Sequence, residues 1–162
     1  MTPEQIIDDA LFVVRKFRME RWETARQLCE SPIEELFLAA VFGAGIDSSL
    51  AVNIYGRSYR DDAEIFEGDH VWPQSKIGNY RVDFLFAHVS PDGKRRFVAV
   101  ECDGHEFHEK TKMQAARDKA RDRFLVSRGI PVLRFTGSEI HSCPIGCWTE
   151  VLNVLWDSRA AA

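Results

Sequence analysis

Residues 80–108 read YRVDFLFAHVSPDGKRRFVAVECDGHEFH. Two apolar runs, Val82–Val89 and Phe97–Val100, are joined by Ser90-Pro91-Asp92-Gly93-Lys94. Proline presets φ for a turn and glycine accepts φ > 0, so the stretch predicts a hairpin. The unbroken run FVAV fits a strand covered on both faces. Each strand carries acid: Asp83 lies inside the first, and Glu101 and Asp103 end the second. A carboxylate inside a strand is costly to bury unless it is paired or holds a metal. Residues two apart on a strand face the same side, so Glu101 and Asp103 project together. Asp83 can join them if the register allows. Carboxylates converging at a strand end offer hard oxygen ligands suited to Mg²⁺, with Mn²⁺ as a substitute. A metal held that way activates water and neutralises charge on a phosphate. The competing arrangement is structural: Asp83 and Glu101 in salt bridges with Arg81 or Arg134.

Downstream, residues 109–128 (EKTKMQAARDKARDRFLVSR) predict a helix, stopped by Gly129 with Pro131 just beyond. Pro131–Phe135 follows as a short strand, consistent with a crossover that adds to the sheet. Thr136–Glu139 opens a last helical region, interrupted near Pro144–Gly146 and resuming as Cys147–Trp156. On the long helix, Lys112, Lys119 and Arg123 share one stripe, and Lys110, Arg117 and Arg121 share another. Such stripes suit a phosphate backbone. They equally suit a solvated helix with internal ion pairs to Asp118 and Asp122. His105 and His108 follow the acids directly. His105 can serve as ligand, phosphate contact or general acid, or cap the next helix.

Upstream, Val71–Ile77 reads as a strand whose Pro73 implies an edge position, and Gly78-Asn79 turns into Tyr80. Ala51–Tyr55 is a candidate short strand, and Arg57–Glu67 reads as a polar loop within an exposed-looking segment, 47–68, suited to partner or substrate contacts. Ser31-Pro32-Ile33-Glu34 is a helix start; Ile33, Leu36, Phe37, Ala40 and Val41 form its stripe, ended by Gly43 and Gly45. Glu34 stands where a capping-box carboxylate would bond back to the Ser31 N–H, with Glu35 one residue on. Thr2-Pro3-Glu4-Gln5 repeats the signal for a helix running to about Leu28. Its stripe holds Ile6, Ile7, Ala10, Leu11, Val14 and Phe17, and its outer face carries Arg15, Lys16, Arg18 and Arg21. The order is α/β with a mixed sheet.

The chain has 162 residues, 45% apolar and 28% charged, with a net charge of −4. These values fit one globular domain over 1–162, divided as N-terminal helix (1–30), core (31–140) and C-terminal helix (141–162). No run reaches bilayer length. The N-terminus lacks the basic and apolar regions of a signal peptide, which points to the cytoplasm. The mild acidity opposes a broad basic surface and leaves room for a local one beside an acidic site. His141, Cys143 and Cys147 have a faint metal-ligand spacing without a second ligand pair nearby.

Asp83, seventeen residues and then Glu101-Cys102-Asp103, together with RDKARDRFLVSRGIPVLRFTGSEI, resembles the PD-(D/E)xK nuclease superfamily and its very-short-patch-repair-like branch. The resemblance spans about Ser31 to Ile140. It implies a restriction-endonuclease-like fold, a four-stranded mixed sheet flanked by helices, here with an extra N-terminal helix. It also implies a metal-dependent endonuclease acting on DNA. Asp83 and Glu101 match the family acids, with the Cys102 carbonyl as a further metal ligand. Glu34 matches the family's helix glutamate, often found as S-P-x-E, and Gln74 a polar residue near the site. The family has lysine where this chain has Asp103. Lys110, Lys112 and His105 are the candidates for the displaced cation. The catalytic set expected is thus Glu34, Asp83, Glu101, Asp103, His105 and Lys112, with Lys110, Lys112, Arg117 and Arg121 on nucleic acid. A homodimer is compatible with the family. Two further readings stay open: a non-catalytic nucleic-acid-binding or interaction module on the same fold, and an RNA-directed nuclease.

Overall fold

The computed structural model describes residues 2–44, 52–56, 59, 65–104 and 112–156. In chain order the elements are α1 (Pro3–Arg26), α2 (Pro32–Gly43), β1 (Val52–Ile54), β2 (Gly68–Ile77), β3 (Tyr80–Val89), β4 (Arg95–Asp103), α3 (Lys112–Ser127), β5 (Val132–Thr136), α4 (Gly137–Ser142) and α5 (Pro144–Trp156). The strands form one sheet in the order β1-β2-β3-β4-β5. The expected hairpin, β3 with β4, is antiparallel and central, β2 is antiparallel to β3, and β5 is parallel to β4. These are the four strands of the expected mixed sheet. The three-residue β1 adds a parallel edge, from Val52↔Asp69 to Ile54↔Val71. β2 is therefore not the edge strand that Pro73 implied, although Pro73 itself lies past the end of β1 and has no strand beside it there among the described residues. β2 starts at Gly68, three residues before the expected Val71.

The hydrophobic side chains collect on the two faces of the sheet. On one face, Phe37 of α2 packs against Phe84 at 5.6 Å, Phe135 at 5.8 Å and Phe86 at 6.2 Å between ring centroids. Trp148, Val151 and Leu155 of α5 complete that face. The other face buries Trp72, Leu85, Ala99 and, from α3, Leu125. Tyr55 stacks on Trp72 at 4.8 Å, Tyr59 meets Trp72 and Phe97 edge-on, and Ile65 is buried. The segment read as an exposed polar loop therefore supplies apolar cover here. The polar average of Arg57–Glu67 hid Tyr59 and Ile65, while Tyr55 ends the expected short strand.

One deformation matters for the site. Strict alternation would place Val82 with Phe84 and Phe86, and Ile77 with Val71. Instead Val82 and Ile77 both join the cluster of Leu85, Ala87 and Trp72. Both strands thus exchange faces between these residues. Within β2 the cause is Gln74, at φ 51°, a left-handed conformation that a non-glycine residue rarely adopts. Gln74 holds the register place opposite Asp83, between the pairs Pro73↔Phe84 and Ser75↔Val82.

Two other expectations are corrected, one in α1 and one in the C-terminal helical region. α1 ends at Arg26, and its apolar stripe is not packed: Ile7 is 58% exposed, Phe17 is 55% exposed, and Ala25 is its only buried residue. The break in the C-terminal helical region falls at Cys143 alone, because Pro144 can open a helix whose first N–H has no partner anyway. No helix among the described residues is long and apolar enough to cross a membrane.

Candidate active site

The β3–β4 ladder runs from Val89↔Arg95 to Phe84↔Val100. The next places belong to Asp83 and Glu101. There a side chain takes over from the backbone: Asp83 Oδ2 accepts a hydrogen bond from the Cys102 N–H at 2.7 Å. The left-handed Gln74 distorts β2 at the same level. The two acids thus stand at the point where regular pairing of β3 with β4 stops.

Glu34 approaches from α2. It is buried, at 5% exposure, and its carboxylate accepts three hydrogen bonds. The Gln74 Nε2 donates to Oε2 at 2.7 Å, the Glu30 N–H donates to Oε2 at 2.9 Å, and the Ser31 hydroxyl donates to Oε1 at 2.7 Å. Ser31 also accepts from the Glu34 N–H at 3.4 Å, the ordinary N-cap bond. The carboxylate therefore serves the helix start through Glu30 N–H and the Ser31 hydroxyl, in place of the Ser31 N–H expected of a capping box. It also reaches across to the sheet through Gln74. Glu35 points elsewhere, 3.5 Å from Arg26.

Glu101 and Asp103 face α3. Arg121 Nη1 lies 3.2 Å from Glu101 Oε1, and Arg134 Nη1 lies 3.9 Å from Asp103. Arg134 is held more tightly by Asp122, at 2.8 Å. The salt bridges foreseen for Asp83 and Glu101 do not form with the residues named: Arg81 pairs with Glu30 at 2.9 Å. Glu101 takes Arg121, a residue read as a phosphate contact from its helical stripe. Arg121 is instead drawn inward, its side chain 16% exposed. Its spacing to Asp118 is the available signal, since an acid three residues before shares its helix face. Arg117 remains exposed. His105, His108 and Lys110 lie outside the described residues, as does the side chain of Lys112, which opens α3.

The acids are under electrostatic tension. Burial, then the charges of Glu34 and Asp103, push the Asp83 carboxyl up to about 6 against the opposing pull of the Cys102 N–H. Burial and the Asp83 charge push Glu101 up to about 7, with Arg121 and Arg134 holding it down only in part. Cys102 is buried, and desolvation followed by Asp83 and Glu34 raises its thiol, so its side chain stays neutral. Cys29, near the same acids, is raised to about 12.

These features bear on a divalent ion. Buried carboxylates with raised affinity for protons are short of positive charge. Gln74 Oε1 is buried without a hydrogen-bond partner, and Glu101 Oε1 meets Arg121 at 3.2 Å without hydrogen-bond geometry. Among the described residues no three of His, Cys, Asp and Glu are grouped closely enough to hold an ion by themselves. The groups that could hold an ion here are the carboxylates of Asp83 and Glu101, together with backbone oxygen. That suits Mg²⁺, which keeps several waters and takes one or two carboxylates. A neutral Cys102 thiol adds no soft ligand, in keeping with a backbone contribution from that residue.

No curated protein and no solved structure matches the chain. Residues 62–155, from the approach to β2 through nearly all of α5, match a family model described as REase_MTES_1575. The matched part holds the sheet from β2 onward, Asp83, Glu101, Asp103 and Arg121, while Glu34 and α1 precede it. With more than half of its residues matched, the chain belongs to this restriction-endonuclease-like family.

Proposed function

We propose that the protein is a metal-dependent endonuclease that hydrolyses DNA phosphodiester bonds at the Asp83–Glu101 site. The observation that carries this reading is the pair of mutually repelling carboxylates at the end of the β3–β4 ladder, Glu101 buried and Asp83 half-buried. Asp83 and Glu101, with the Cys102 carbonyl, would hold Mg²⁺ or Mn²⁺. The ion, when bound, supplies Lewis-acid stabilisation of the phosphate and a more acidic water.

The chain's own groups do the rest. The Cys102 N–H fixes the Asp83 carboxylate, and Gln74 fixes Glu34, so the acids are oriented before substrate arrives. Arg121 and Arg134 offset the local negative charge that would otherwise repel a phosphate. Arg117 on the exposed side of α3 suits backbone contact, as do Lys110 and Lys112 near its start. His105 and Lys112 are the groups proposed to take the place of the family lysine. Asp103-Gly104 is the feature that resembles the very-short-patch-repair-like branch.

The test is incubation of the purified protein with supercoiled plasmid and Mg²⁺ or Mn²⁺, beside Asp83→Ala, Glu101→Ala and EDTA controls. Nicking lost in all three controls supports the reading. No cleavage of DNA or RNA, with no metal binding by calorimetry, overturns it. The Arg121–Glu101 ion pair favours one alternative, a nucleic-acid-binding module in which arginine permanently neutralises the site. That module would bind DNA without cleaving it and would be indifferent to EDTA. Cleavage of RNA alone would make the enzyme an RNA-directed nuclease.

A further inference from the structure

α1 contributes little to the fold it precedes. Only Ala25 is buried, and Trp22 packs partly against the core cluster of α2 and α5. Toward its N-terminus the same helical side continues through Val14, Leu11 and Ile7, and these remain 43%, 52% and 58% exposed. Phe17 flanks that stripe and is 55% exposed. A 24-residue helix spans ~36 Å, so most of an apolar seam has no neighbour among the described residues. Beside its C-terminal half lies a groove of about 260 Å³ against α2. Met19, Trp22 and Phe42 are among its apolar lining residues, and Arg15 and Arg18 also line it.

The charges of α1 are segregated. Residues 3–13 carry Glu4, Asp8 and Asp9 and no base, while residues 14–21 carry Arg15, Lys16, Arg18 and Arg21 against a single acid, Glu20. Two copies laid parallel would set like charges together, whereas antiparallel copies set acid against base. Centring the pair between Phe12 and Val13 brings Leu11 level with Val14 and Ile7 level with Arg18. On the side of the seam that carries Glu4 and Asp8, Arg18 and Arg15 of the other copy lie within one turn of the facing levels. These are the two arginines of the groove.

We propose that α1 is a homodimerisation helix. Two copies of the chain pair it antiparallel, with Ile7, Leu11 and Val14 on the seam and Phe17 at its flank. Glu4 and Asp8 of each copy face the partner's Arg18 and the partner's Arg15. The partner's Ile7 then sits at the mouth of the apolar groove. A membrane surface fits less well, because an interfacial helix carries its cations along the whole polar face and the first half of α1 is acidic. DNA fits less well for the same reason, and it has no use for the apolar seam.

The test is sedimentation equilibrium of the full chain at micromolar concentration and physiological salt. The expected mass is twice 18.5 kDa. The double variant Glu4→Arg/Asp8→Arg and the single variant Arg15→Glu should each sediment as monomers, with unchanged helical circular dichroism because these three side chains are exposed, whereas Arg18 is half-buried and donates to the Phe42 carbonyl at 3.5 Å. Mixed together they should restore a heterodimer, since Arg15→Glu in one copy meets Asp8→Arg in the other while the second set of facing charges stays native. Leu11→Asp should also be monomeric and should not be rescued by either. A wild-type monomer overturns the proposal, as does a dimer unmoved by both charge variants or a mixture that stays monomeric. A monomer that co-sediments with phosphatidylserine vesicles overturns it too and assigns the helix to a membrane surface.

Discussion

Replacing Glu101 by glutamine should stabilise the protein at alkaline pH and do little at acid pH. The native Glu101 carboxyl is raised from an ordinary 4.5 to about 7, first by burial and then by Asp83. An acid whose native pKa is raised binds its proton more tightly when folded. Its contribution to stability is therefore full at low pH and is lost as pH rises through the native value. The gap between 4.5 and about 7 corresponds to ~3 kcal/mol. At about pH 8 the charged side chain carries this whole penalty, while at about pH 5 most of it has been relieved by protonation. Glutamine keeps the shape and a hydrogen-bonding oxygen near Arg121 without the charge. Urea denaturation should place Glu101→Gln ~2–3 kcal/mol above wild type at about pH 8 and within ~1 kcal/mol at about pH 5. Added Mg²⁺ should stabilise wild type, by ~2.7 kcal/mol at a hundredfold excess over Kd, and leave the variant unmoved. A Glu101→Gln protein that is equally destabilised at both pH values would refute the reasoning. Arg121 would then be neutralising Glu101 fully, and the site would be structural.

Three further outcomes can be checked by chemical denaturation. Gln74→Ala and Gln74→Gly both remove the amide that holds Glu34, but only alanine keeps a side chain at φ 51°, so the glycine variant should be the more stable by ~0.5–1 kcal/mol. Ser31→Ala removes the hydroxyl that caps α2 and donates to Glu34, and should cost ~1–2 kcal/mol. Gly78→Ala should cost ~1–3 kcal/mol, because Gly78 sits at φ 59° and an added Cβ would lie 2.8 Å from Phe124 Cζ.

Local physical rules made much of the fold legible. The turn Pro91-Asp92-Gly93 joins the expected strands, Gly129 ends α3 at φ 71°, and Ser31 caps α2. In each case the deciding interaction reaches only a few residues. The stripe of α1 shows where such rules fail. Periodicity at Ile7, Leu11 and Val14 predicts an apolar face, and that face exists, but periodicity does not say whether anything covers it. Likewise Tyr59 and Ile65 belong to a segment of polar average, and only the position of Trp72 beneath them makes them part of the core.

The candidate site divides in the same way. Asp83 and Glu101 stand out in the sequence by themselves, because acids embedded in apolar strands carry a desolvation cost that demands a reason. Their partners do not. The sequence names several cations within reach, and it favoured Arg81 and Arg134. The fold gives Glu101 to Arg121, fifty-one residues separate Glu30 from its Arg81 partner, and forty separate Gln74 from Glu34. Which charge meets which depends on the register of β3 on β4, the exchange of faces at Gln74 and the side of the sheet on which α3 lies. Those are properties of the whole packed chain. The residue types on the 80–108 hairpin decide that this stretch must hold compensated charge, and the tertiary structure decides what compensates it.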